Sequence, residues 1–169
     1  MIFTKKHNTD LYNTLLSLSR NIFFYKKIGL LDSFETRIYL MLIHFSIILI
    51  VFKSKSIKFD QNNYDSLFHN IENNLRELGF GDIAVNKRMK DLNKILYDIL
   101  LKINIQESKK FDVNEKLLIK YFDNINSSKN SNLQLFKEYF VKFHDFCFEL
   151  SPDIMVRDAV NFNYGSSKT

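Results

Sequence analysis

His144 and Cys147 lie three residues apart on one helical face and are the first candidates for chemistry in this sequence. A nucleophilic cysteine needs an exposed thiol of low pKa, a base, and a third group to orient that base. Cys147 instead stands among Phe143, Phe146 and Phe148, a setting that suits a small buried hydrophobe. The remaining histidines, His7, His44 and His69, show no HExxH, no paired ExxH and no CxxC, the spacings that hold zinc or a pair of metals. His69 and Glu72 could share a ligand face, but no second such pair completes the set. His44 sits in the middle of the most apolar run and is expected to be neutral and hydrogen-bonded in the core. Gly79-x-Gly81 is a fragment of a phosphate-binding fingerprint, yet it follows a helical pattern and lacks the third glycine. No Walker loop and no Ser-His-Asp order stands out. No cofactor and no metal are expected, and the chain is not expected to be an enzyme.

Charge offers more than catalysis does. Lys87, Arg88, Lys90 and Lys94 form a basic patch, either a solvated face or an electrostatic dock for an acidic or phosphate-bearing partner. The formal net charge of +5 favours acidic partners: nucleic acid, anionic lipid headgroups or an acidic protein. An AT-rich genome would give the same wealth of Lys, Asn and Ile.

The elements that must position these residues read as helices throughout. Only 4 Gly and 1 Pro interrupt 169 residues, too few for the tight turns of a β-rich fold. The expected fold is all-α, a single domain over 1–169 built as a bundle of six or more helices. The 17 Phe and 8 Tyr must mostly fill its core. The single Cys147 excludes an intrachain disulfide and points weakly to a reducing compartment.

A first helix is expected over Asp10–Lys27, capped by Asn8 or Thr9 and ended by Gly29. A second opens at Asp32 with Glu35 as its capping-box partner and turns apolar on all faces from Ile38 to Phe52. That run is shorter than the roughly 20 residues of a membrane span, which favours a buried central helix over a transmembrane segment. The third carries Tyr64, Leu67, Phe68, Ile71, Leu75 and Leu78 on one face and stops at Gly79. A loop over Gly79–Asn86 leads to a fourth with Met89, Leu92, Leu96, Ile99 and Ile103 inward. A fifth starts at Asp112 with Glu115 as capping partner and runs to Ile125, and Asn126–Asn132 is a loop. A sixth holds Leu133 to Leu150 before Pro152 breaks it. A flexible tail is expected over about 161–169. The N-terminus shows no apolar signal core and is not Arg-rich, so the expected location is cytoplasmic.

Two stretches resemble a known family. One is Leu11-Tyr12, Arg20, Phe24-Tyr25, Gly29, Asp32-Ser33, Arg37 and His44 in order; the other is Leu75-Arg76-Glu77-Leu78-Gly79-Phe80-Gly81-Asp82-Ile83-Ala84-Val85-Asn86-Lys87-Arg88-Met89-Lys90. Together they resemble the ubiquinol–cytochrome c chaperone family, with agreement over roughly 10–105 and a helical extension over about 112–150 outside it. The resemblance implies an all-α assembly factor for the cytochrome bc1 complex of the respiratory chain, in a bacterial-type form. It implies a protein client, cytochrome b or another apolar membrane-protein segment. Mitochondrial members act with a small partner chaperone and at the ribosome; a bacterial one would act in the cytoplasm beside the inner membrane, touching it peripherally. The resemblance also marks Arg37, His44, Arg76, Glu77, Gly79, Gly81 and Asp82 as motif residues. Arg76, Glu77 and Asp82 are expected to brace the Gly79–Val85 loop, because a long polar side chain can hold a glycine-containing loop by hydrogen bonds.

The partner-binding surface is expected near Gly79–Lys90 and the edge of the first helix. Phe80, Ile83 and Val85 would form its apolar centre, Lys87, Arg88 and Lys90 its rim, and Tyr12 and Tyr25 aromatic anchors. Phe80, Ile83 and Val85 plugging the end of the bundle is the competing reading. The alternative function is a basic helical module that binds RNA or the ribosome.

Overall fold

In the computed structural model of the chain, residues 9–103, 110–122, 125 and 130–164 are described. The element order is α1 (Asp10–Ser19), α2 (Ile22–Lys26), α3 (Phe34–Ser54), α4 (Gln61–Glu77), α5 (Asp82–Ile103), α6 (Glu115–Tyr121), α7 (Asn130–Glu149) and α8 (Pro152–Asp158), then a 3-10 turn over Ala159–Asn161. No strand occurs among the described residues. The all-α expectation therefore holds.

The helix ends follow side-chain chemistry more finely than the sequence reading anticipated. Thr9 caps α1 by accepting from the Tyr12 N–H. The expected first helix is cut in two, because the Asn21 side chain accepts from the Phe23 N–H at 3.0 Å and starts α2. Short amide side chains compete with the helical ladder in this way. The Tyr25 hydroxyl donates to the freed Ser19 carbonyl at 2.7 Å. Gly29, at φ +82°, then turns the chain towards α3.

Ser33, not Asp32, caps α3: its Oγ accepts from the Thr36 N–H at 3.2 Å. The Asp32 carboxylate is held by Arg37 at 2.7 Å. Likewise Asn114, not Asp112, caps α6, accepting from the Lys116 N–H at 2.8 Å. The Asp112 side chain accepts from the Val113 N–H instead. That helix ends at Tyr121, short of Ile125. Pro152 ends α7 and also opens α8, where its missing N–H leaves no bond unmade. Of the expected Asn126–Asn132 loop, 126–129 lie outside the described residues and Asn130 already begins α7. Of the expected tail, Phe162 and Tyr164 pack their rings on Tyr139 at 5.2 and 5.6 Å, and 165–169 lie outside the described residues.

α3 organises the bundle. It packs against α1, α5, α7 and α8, and Leu40 to Ile48 is buried without interruption. At 21 residues the whole helix is long and apolar enough to cross a membrane. Length therefore does not decide its role as the sequence argument supposed. Its burial does: 67% of its most apolar window is covered by the rest of the chain. One hydrophobic cluster runs from Leu11 to Ala159 around it.

His44 lies at the centre of that cluster. Its Nδ1 is 2.6 Å from the Leu40 carbonyl oxygen and its Nε2 is 2.8 Å from the Tyr139 hydroxyl. A carbonyl only accepts, so Nδ1 carries the proton and Nε2 accepts from Tyr139. The rings of Phe24, Tyr139, Phe140 and Phe143 surround it at 4.8 to 5.8 Å. Burial pushes the imidazole down to about 4, against the smaller opposing pull of the Leu40 bond. Far from the centre, Asp98 ties α5 to α6 through Lys120 at 2.8 Å and Tyr121, and takes Lys102 at 3.0 Å. Desolvation alone would raise Asp98; these three partners outweigh it and hold the carboxyl at about 2.

Two outcomes follow from this core. Replacing the fully buried Ile48 by Asp strands a carboxylate without partners, at a cost on the order of 4–5 kcal/mol or more; loss of cooperative helix melting by circular dichroism checks it. The second concerns pH. Below its ordinary value of 6.5 an unfolded His44 gains a proton that the folded chain accepts only near 4, so stability falls as pH drops through that window, by about 3 kcal/mol in all. Urea midpoints between pH 7 and 4 should decline steeply in the parent chain and much less in His44→Gln, whatever the absolute stability of the variant. The Asp98 contribution lies lower, below 3.8.

Candidate functional site

The turn between α4 and α5 is built around Gly79. At φ +97° it takes the left-handed conformation that ends a helix. Its N–H donates to the Arg76 carbonyl at 3.0 Å, and the Phe80 N–H reaches back to the Leu75 carbonyl at 3.2 Å. Both late carbonyls of α4 are thereby satisfied in a Schellman motif. Arg76 spans the turn on the outside, with Glu72 at 3.0 Å and Asp82 at 3.5 Å.

The expected long loop over Gly79–Asn86 is not there. The Val85 N–H donates to the Gly81 carbonyl at 2.9 Å and α5 begins at Asp82. Asp82 in the first turn favours this start, since a carboxylate offsets the exposed N–H groups. Ile83 and Val85 are thus first-turn helical residues on opposite faces, and only one can meet solvent. Val85 is fully buried, so its expected place in the apolar surface is corrected. Ile83 is 88% exposed. Leu78, read as the last core position of its helix, is the C-cap and is 56% exposed. It adds an apolar residue that the sequence reading missed.

Phe80 is half-buried beneath the Arg88 guanidinium, which lies 4.6 Å from its ring centre. Arg88 also reaches Glu35 in the first turn of α3, at 3.4 Å. Beside this pair Phe34, Ile38, Tyr39, Leu75, Leu92 and Ile95 line a cleft of about 100 Å³. The structure thus joins Phe80, Ile83 and Arg88 with Leu78 at one corner, and Lys87 and Lys90 stand exposed on the adjoining turns of α5. An apolar centre with a cationic rim suits a polypeptide partner.

The other expected anchors lie elsewhere. Tyr12 is buried in the core, so it presents no contact surface and is corrected on that ground; desolvation raises its pKa. Tyr25 is half-buried on α2 and bonds Ser19; burial raises its pKa too. Arg37 pairs with Asp32, and Glu77 and Gly81 are exposed at the corner. His144 stacks on Phe111 at 4.2 Å and takes Asp145 as its hydrogen-bond partner. Cys147 lies in the core, where burial pushes its thiol up to about 12. That thiol is no nucleophile near neutral pH. No group of three metal-ligating side chains occurs among the described residues.

Three comparisons bear on this geometry. A family model described as ubiquinol-cytochrome C chaperone matches residues 26–140. The match starts after α1 and runs past Ile103 through α6 into α7, further than the sequence resemblance reached. No curated protein matches significantly. The crystal structure of the Cbp3 homolog from Brucella abortus superimposes with a TM-score of 0.65 at 20% identity, over 92% of this chain and 86% of that one. At that identity the likeness shows a shared fold.

The Arg76 bridge generates a test. In Arg76→Ala the melting temperature should shift by no more than about 2–4 °C, as for loss of exposed pairs. Amide exchange at Phe80–Val85 should nevertheless quicken relative to the rest of α5. Unaltered exchange in that segment would show that the bridge does not hold the corner.

Proposed function

The chain belongs to the ubiquinol–cytochrome C chaperone family, and on that premise we propose that it holds newly made cytochrome b, through an apolar segment of that client, for assembly into the cytochrome bc1 complex. The corner between α4 and α5 is the contact surface. The observation that carries this reading is the exposure of Leu78 and Ile83 next to the Phe80–Arg88 stack, with Lys87 and Lys90 around them. Water-exposed aliphatic side chains at a well-ordered turn gain most by being covered. The protein works in the cytoplasm at the inner membrane, in peripheral contact with it.

The second reading is RNA or ribosome binding through Lys87, Lys90 and Lys94, which form no ion pair among the described residues. Salt separates the two. Affinity for RNA falls steeply with salt through counterion release, whereas affinity for an apolar segment does not.

The combined reversal Lys87→Glu, Arg88→Glu and Lys90→Glu tests the assignment. These side chains are exposed or half-exposed, so the fold should persist by circular dichroism. Cells carrying the variant in place of the parent should accumulate several-fold less bc1 complex on native gels. Normal complex levels with a folded variant would move the contact surface away from this corner.

A further inference from the structure

α5 has a second face that the corner alone does not use. Its buried residues, Val85, Leu92, Leu96, Ile99 and Ile103, define the side turned to the core. At about 100° per residue, Ile83, Lys87, Lys90, Lys94 and Leu101 fall on the opposite side, and Tyr97 lies at its edge, leaning towards α4 where its side chain hydrogen-bonds Tyr64. All six are exposed. Their steps along the chain alternate four and three residues, so they form one straight row of about 27 Å.

The outermost face of a surface helix is ordinarily polar. Here Ile83 is 88% exposed, Tyr97 65% and Leu101 64%, with lysines between the two apolar ends. Among the described cations, Arg37, Arg76, Arg88, Lys102, Lys120, Lys137 and Arg157 pair with carboxylates. Lys87, Lys90 and Lys94 do not among the described residues. A row that is apolar, basic and apolar again, at the alternating spacing by which helices pack side by side, is shaped for another helix.

The flanks narrow the choice of occupant. Asp91 lies on α5 beside the row and Asp65 on neighbouring α4, while Asp82 and Glu72 nearby already share Arg76. A flat anionic bilayer or a broad nucleic-acid backbone would press on these carboxylates as well as on the lysines. A single helix would meet the row alone.

We propose that the outer face of α5 docks an acidic amphipathic helix of a protein partner, with apolar residues at its two ends and carboxylates between them. This deepens the interaction role proposed above and rests on it for biological meaning, but its physical claim reaches beyond the corner to Lys94, Tyr97 and Leu101.

The probe is a labelled synthetic helix with leucines at both ends and three glutamates between, set at the spacing of the row, titrated against the full chain by fluorescence anisotropy. Binding should weaken at least about tenfold in Lys87→Glu/Lys90→Glu/Lys94→Glu and in Tyr97→Ser/Leu101→Ser, both checked for fold by circular dichroism. It should weaken comparably for a peptide of the same composition in scrambled order. Equal binding of the scrambled peptide would reduce the row to charge attraction and overturn the proposal. So would no binding at all, or tighter binding to phosphatidylglycerol vesicles that the same substitutions abolish. If the peptide fails while the reversal at Lys87, Arg88 and Lys90 still impairs bc1 accumulation, the row is wrong and the corner stands. Peptide binding with normal bc1 levels in that reversal would remove the corner and leave the row.

Discussion

A helix whose side chains are apolar on every face must be covered on every face. α3 imposes that requirement on the rest of the chain. α1, α5, α7 and α8 are among the helices that pack against it, and the one titratable side chain in its buried middle, His44, is admitted on strict terms. The imidazole must be uncharged, must give its proton to Leu40 and must accept one from Tyr139. These terms fix the rotation of α3 and the register of α7 against it. A one-residue slip of either helix would leave two buried polar groups without partners, which is costlier than the loss of the bond itself. The aromatic rings of α2 and α7 then complete the seal.

Much of this was legible in the sequence. The apolar run with a lone histidine indicated a central helix and a neutral imidazole, because charge and burial are incompatible without a partner. Periodicity located α4, α5 and α7, whose inward stripes are long enough to average over local noise. The failures have a common origin in competition among neighbouring polar side chains. Asp32 and Ser33, or Asp112 and Asn114, are equally good caps on paper. The outcome depends on which carboxylate another group takes up, as Arg37 does Asp32. Asn21 split α1 from α2 for the same kind of reason.

The candidate site was half legible. The family motif drew attention to Gly79–Lys90, and the glycine turn and Arg88 are indeed central to the corner. Treating the segment as a loop, however, put Ile83 and Val85 on one surface. Once α5 starts at Asp82, helical geometry sends them to opposite sides. Leu78 was misassigned because its spacing fits the core stripe while its C-cap position turns it outward. Leu101 carried a signal in plain view: it falls off the inward stripe of α5, and a bulky residue that breaks the pattern on an outer face calls for a reason.

The Schellman closure at Gly79 has a bearing on how any partner is met. Leu78 and Ile83 project from the last and first turns of two regular helices, joined by a turn with its backbone bonds made and Arg76 across it. Nothing there has to be ordered when a partner arrives, so association loses little conformational freedom on this side. On the proposed assignment of this corner as the contact surface, recognition is pre-organised: the chaperone presents a fixed shape, and it is the client that must adapt to it.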